Sequence, residues 1–101
     1  MSQKLTIDAL KGALKRLPDW NLVKDREAIT RSFKFVDFDA AFAFMARCAL
    51  MAAKMDHHPE WFNIYNKVDV TLATHDAGGV TQKDIDMATA MDGYAAMGGG
   101  R

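Results

Sequence analysis

The chain has little of several things that usually mark a function. Of its 101 residues one is cysteine, Cys48, two are proline, Pro18 and Pro59, and three are histidine. A lone cysteine cannot close an internal disulfide, which excludes a disulfide-stapled scaffold and fits a reducing cytoplasm. Neither sign of charge prevails, since 13 Lys and Arg balance 13 Asp and Glu. That balance leaves no electrostatic footprint for direct nucleic-acid binding or for a membrane surface. The opening MSQKLTIDALKG lacks the apolar core and small-residue cleavage site of a signal peptide, so no targeting segment is expected. No repeat, linker or low-complexity stretch precedes the glycines at the end.

What is present is enough for one small core. Half the residues are hydrophobic, an ordinary share for a globular protein, and the length is near the lower end for independent folding. A single domain over residues 1–97 is expected, followed by a flexible Gly-rich tail at 98–101. Thr6 is placed to cap a first helix, with Ile7, Leu10, Leu14 and Leu17 on one face and Pro18 as its stop. Trp20 to Val23 reads as extended, and the polar Lys24-Asp25-Arg26-Glu27 as a hairpin turn. In the next strand Ile29, Arg31, Phe33 and Phe35 alternate with Thr30, Ser32, Lys34 and Val36.

Asp37 then caps a long helix from about Phe38 to Met55, whose only charges are Asp39, Arg47 and Lys54, all on one narrow stripe. A helix apolar almost all round must be buried on more than one side. A domain this small cannot wrap it, so a partner subunit is expected. Trp61 to Asn66 reads as a third strand, with a turn at Asn66-Lys67. The fourth strand puts Val68, Val70 and Leu72 on one side and Asp69, Thr71, Ala73 and His75 on the other. Gly78-Gly79 ends this unit. Thr81-Gln82-Lys83-Asp84 has capping-box form and opens a last helix with Met87, Ala88, Met91 and Ala95 inward. The order α-β-β-α-β-β-α implies an α+β fold, a four-stranded antiparallel sheet with three helices packed on one face.

The chemistry is concentrated in MDHHPEW. His57 and His58 follow the long helix, and Pro59 prevents that helix from continuing. If the end of the fourth strand opens on the same edge of the sheet, His75 joins them around one cavity. Imidazoles are the side chains best suited to move protons near neutral pH. Each also has a plain structural reading: a histidine after a helix caps carbonyls, His75 ends a strand, and Asp84 completes a capping box. A zinc site is disfavoured, because adjacent histidines rarely aim both rings at one ion and no cysteine pair supports them.

The run from Met55 to Ala88 closely resembles the pterin-4a-carbinolamine dehydratase family, also called 4a-hydroxytetrahydrobiopterin dehydratases. The matching pattern is His57-His58-Pro59, Tyr65, His75 ten residues later, and Asp84. The likeness extends upstream through Trp20, Phe33-Lys34-Phe35 and Phe42-Ala43-Phe44-Met45. One position departs: where the family usually has a charged residue, four before the first histidine, this chain has Ala53.

The resemblance implies a hydro-lyase that removes water from 4a-hydroxytetrahydropterin to give quinonoid dihydropterin, recycling the cofactor of aromatic amino acid hydroxylases. It implies no metal and no organic cofactor, and a tetramer built from dimers. His57 and His75 are then the acid–base residues and His58 holds the pterin ring. Asp56, Pro59, Trp61 and the Ala73-Thr74-His75-Asp76 segment complete the substrate site, with Asp84 orienting a histidine. Two other roles are attached to relatives: a cofactor for transcription-factor dimerisation, and an accessory part in molybdopterin metabolism.

Overall fold

Helix α1 (Ile7–Lys15) starts where expected, the Thr6 hydroxyl accepting the Ala9 N–H at 3.1 Å, a cap worth about 1 kcal/mol. The structure, a computed structural model, describes residues 3–101; Met1 and Ser2, which begin the expected domain and the N-terminal segment read above, lie outside the described residues. The chain continues through β1 (Asn21–Leu22), β2 (Ile29–Lys34), α2 (Phe38–Met55), β3 (Glu60–Ile64), β4 (Lys67–Leu72), a 3-10 turn (His75–Ala77) and α3 (Gln82–Met97). The class and element order are those read from the sequence. Among the described residues no helix is long and apolar enough to cross a membrane.

The four strands form one antiparallel sheet in the order β1-β2-β4-β3. The two hairpins therefore meet through β2 and β4, with Ile29 opposite Leu72 and Phe33 opposite Val68. Those residues, with Val70, are fully buried, and every helix contributes to the same cluster: Ala13 from α1, Phe44 and Cys48 from α2, Met87 and Met91 from α3. Burying a side chain the size of Phe33 stabilises by roughly 1.5–3 kcal/mol. Its ring also lies 4.7 Å from Phe44 and 6.0 Å from Trp20, joining sheet to helices. Arg31 is the polar member of this inner face. It stacks over Phe33 and pairs with Asp92 of α3 at 2.6 Å, and the Trp20 indole N–H donates to the same carboxylate oxygen.

Several boundaries differ from expectation. Ile7 is exposed, and α1 buries Ala13 instead, with Leu17 covering the core from beyond the helix end. Strand β2 stops at Lys34, because the Phe35 backbone pairs with Asn66 through both that residue's carbonyl and its side-chain amide. Strand β3 ends at Ile64 and the turn is Tyr65-Asn66, one residue earlier than read. Ile64 pairs with Lys67, leaving two residues to reverse the chain. Tyr65 accordingly takes φ 47°, its carbonyl held by the Asn63 side chain at 3.2 Å. His75 begins a 3-10 turn and does not end a strand. Past α3, the glycines expected to run free turn back, and the Arg101 and Lys34 backbones exchange hydrogen bonds of 2.8 and 2.9 Å.

Candidate active site

Helix α2 ends in a way that separates the two adjacent histidines. Asp56 adopts the left-handed conformation, φ 52°, and donates its N–H to Ala53 O while the His57 N–H reaches Ala52 O at 3.1 Å. This is a Schellman closure, usually made with glycine; Asp is among the few other residues that visit the region readily. After the reversal His57 is buried at 8 % exposure, whereas His58 is exposed. Pro59 then commits the chain to β3.

His75 arrives from the other hairpin. Thr74 and Gly79 form an isolated antiparallel bridge, and the loop between them is the 3-10 turn that carries His75 and Asp76. Gly78 closes it at φ 74°, a conformation that a side chain would strain. The α2 terminus, the end of β4 with its loop, and the first turn of α3 thus border one open cleft of about 260 Å³. It is lined by Asp56, His57, His58, Ala73, Thr74, His75, Asp76 and Lys83. All three histidines share it. A larger cavity of about 390 Å³ lies between α1 and β1, but it has no histidine among its lining residues.

Beneath the cleft is the carboxylate with the most hydrogen-bond partners among the described residues. Asp84 has 0 % exposure. Its Oδ1 lies 2.6 Å from His57 Nε2, and its Oδ2 accepts the Thr81 N–H at 2.9 Å and the Thr74 hydroxyl at 2.8 Å. A buried carboxylate accepts and does not donate, so His57 carries its proton on Nε2. Among the described residues Nδ1 has no hydrogen-bond partner, yet no buried side-chain nitrogen of theirs lacks one. Nδ1 is therefore the atom of this ring that solvent or substrate reaches. The capping box read from the sequence is complete, the Thr81 side chain accepting from the first turn of α3. Asp84 thus serves the helix and the histidine at once.

Outside the cleft, the Arg26 guanidinium hydrogen-bonds Glu60 through both oxygens at 2.8 Å. That contact holds the Glu60 carboxyl below its ordinary range, and His75 lowers it further. Pro59 and Trp61 do not line the cleft; Trp61 is half-buried against the core, opposite Val70. Lys83 does line it. In the sequence its only signal was adjacency to Asp84 inside the capping box. Although the three histidines border the same cleft, no group of three His, Cys, Asp or Glu among the described residues is arranged to hold a metal ion.

Comparison with known proteins gives the same picture over the whole fold. The profile of the pterin 4 alpha carbinolamine dehydratase family matches residues 3–94. A Brucella ovis protein whose name places it in that family is 60 % identical over 92 residues, 91 % of this chain and 95 % of its own. One from Burkholderia multivorans is 55 % identical over 96 residues, 95 % of this chain and 94 % of its own. The crystal structure of a transcriptional coactivator/pterin dehydratase from Brucella melitensis is 59 % identical, with a TM-score of 0.90 covering 92 % of this chain and 99 % of that one. With the fold, the histidine cleft and this similarity in agreement, the chain belongs to the pterin-4a-carbinolamine dehydratase family.

Proposed function

We propose that the cleft dehydrates a 4a-hydroxytetrahydropterin to the quinonoid dihydropterin, with His57 and His75 as the proton-transfer residues. The observation that carries this reading is the pairing of a buried, Asp84-anchored His57 with a second imidazole on the facing loop of the same cleft. Breaking the bond from C4a to the hydroxyl requires that the departing oxygen receive a proton. A ring nitrogen must release its own proton as its electron pair forms the new C=N bond. One proton is taken up and one given back, so two groups poised on either side of C4a suffice. Water is the only other product.

His57 exchanges its proton through Nδ1, because Nε2–H is engaged by Asp84. That anchor keeps the ring in one tautomer and balances the imidazolium when it forms. His58, exposed on the cleft wall, holds the pterin ring, and Asp56 with the 73–76 backbone recognises its polar edge. Positioned acid–base assistance supplies roughly 10²–10⁴-fold in rate. The buried thiol and the lack of charge bias support a cytoplasmic setting, beside a hydroxylase that generates the substrate.

The same reading extends to assembly. Phe38, Phe42 and Leu50 of α2 are exposed, Leu50 at 76 %, and lie on one stripe with Ala46, Ala49 and Ala53. Such a stripe favours burial between subunits, in a homotetramer built from dimers. The decisive experiment for the reaction is stopped-flow absorbance of enzymatically generated 4a-hydroxytetrahydropterin, with and without the protein at micromolar concentration. Acceleration of its decay, with quinonoid dihydropterin as product, is the expected result; an unchanged decay rate overturns the proposal.

A further inference from the structure

Thr74 links the two halves of the proposed acid–base pair: it precedes His75 in the chain and hydrogen-bonds Asp84, the carboxylate that holds His57. Its backbone closes the loop that carries His75: the Thr74 N–H donates to Gly79 O at 2.8 Å, and Thr74 O accepts from Ala77 and Gly78 at 3.1 and 3.0 Å. Its side chain meanwhile supports the anchor of His57, donating to Asp84 Oδ2 at 2.8 Å. Thr74 Oγ1 also lies 2.7 Å from Thr81 Oγ1. The geometry fixes who donates. A hydroxyl has one hydrogen, and that of Thr74 is committed to the carboxylate, so Thr74 accepts from the Thr81 hydroxyl. Thr81 in turn is free to donate, because its oxygen only accepts from the Lys83 N–H, at 3.2 Å.

The result is a one-way string: Thr81 O–H to Thr74 O–H to Asp84 Oδ2, and from Asp84 Oδ1 to His57 Nε2–H. Thr81 and Asp84 are fully buried and Thr74 nearly so. With every donor committed, the carboxylate cannot rotate without losing a bond in a site that water does not reach, at the full desolvation cost of an orphaned group. We propose that Thr74 is a positioning residue of the reaction: its hydroxyl locks Asp84 and thereby the tautomer of His57, while its backbone sets the loop bearing His75, so one residue holds the two rings in mutual register. Thr81 polarises that hydroxyl from behind. This inference rests on the assignment of His57 and His75 to proton transfer, and its test separates the two.

The experiment compares Thr74→Val, which keeps the shape and removes the hydroxyl, with Thr74→Ser, which keeps the hydroxyl. Long-range ¹H–¹⁵N spectra of imidazole-labelled full-length protein report the tautomer of His57, and steady-state kinetics report turnover. In wild type and Thr74→Ser, His57 Nε2 carries the proton. In Thr74→Val both ring nitrogens take intermediate shifts, and kcat falls about tenfold with KM changed by about twofold or less. A wild-type His57 spectrum in Thr74→Val overturns the proposal, as does a Thr74→Ser enzyme equally impaired. Mixed tautomers with undiminished kcat uphold the positioning role and remove His57 from proton transfer instead. If Thr74→Val does not fold by circular dichroism, Thr81→Ala carries the test. It deletes the first hydroxyl and loosens the second, and an unaltered His57 spectrum there overturns the proposal.

Discussion

Replacing Asp84 by asparagine tests the site at its least accessible point. The substitution is isosteric, so the consequences follow from hydrogen-bond sense alone. The Thr81 N–H lies 2.9 Å from Oδ2 and can only donate; an amide NH₂ there would set two donors face to face. The amide oxygen must therefore occupy the Oδ2 position, which places the NH₂ opposite His57 Nε2, 2.6 Å away in the native pair. The imidazole accommodates this only by moving its proton to Nδ1. The nitrogen that faces the cleft then becomes a donor and stops being a base.

The energetic scale follows from the same contacts. Three hydrogen bonds to a carboxylate become bonds to a neutral amide, each weaker by about 1 kcal/mol. Relief of the buried charge offsets part of that loss. A net destabilisation of about 1–3 kcal/mol results, lowering Tm by roughly 5–20 °C in a domain of this size. On the proposed mechanism the functional loss is larger, about 10²-fold or more in kcat, because the proposed proton acceptor has been inverted while the groups proposed to hold substrate are untouched. Stopped-flow turnover, thermal unfolding by circular dichroism and ¹⁵N spectra of the His57 ring measure the three effects separately. An Asp84→Asn enzyme with wild-type kcat, or with the His57 proton still on Nε2, would refute the reasoning.

Further outcomes follow from other parts of the structure. His57→Ala and His75→Ala should each lower kcat by about tenfold to a thousandfold, and His58→Ala should chiefly raise KM; steady-state kinetics that give His58→Ala the largest kcat loss would reverse the assignment. Activity should survive exhaustive dialysis against EDTA, and loss restored by zinc would revive a metal role for the histidines. Burial pushes the Cys48 thiol up to about 12, with Arg47 opposing, from an ordinary 9.0. The folded state thus favours the protonated thiol: this contribution to stability is intact below pH 9 and is lost as pH rises from 9 toward 12, so denaturant midpoints should fall across that window more steeply in wild type than in Cys48→Ala. Iodoacetamide should modify Cys48 only after unfolding. Sedimentation at micromolar concentration should give a tetramer or at least a dimer, and Phe42→Asp with Leu50→Asp should dissociate it without changing the far-ultraviolet spectrum of the subunit.

Much of this was written locally and could be read without coordinates. The Phe38–Met55 helix begins at an Asp cap and ends before Pro59 because those signals act within a few residues of the backbone they govern. The Thr81–Asp84 capping box and the buried face of Met87, Ala88, Met91 and Ala95 are likewise properties of one helix. The histidine motif was legible as a set of candidate residues, and its family by likeness. The turn was harder: nothing in the sequence favours a left-handed tyrosine, and Tyr65 adopts that conformation because pairing of Ile64 with Lys67 leaves it no alternative.

What only the tertiary structure decided is which groups face one another. Sixteen residues along the chain intervene between His58 and His75, and the two histidines meet at one cleft because β4 lies between β2 and β3 and delivers its loop beside the end of α2. Lys83 lines that cleft through the same convergence, which gives a cap residue a second setting that no spacing rule reveals. The direction of the hydroxyl string through Thr81 and Thr74 depends on distances of 2.7 and 2.8 Å between residues on different elements. A hydrogen bond has a sense only when its neighbours are known, so the protonated nitrogen of His57 was not legible in the sequence that supplies every one of those groups.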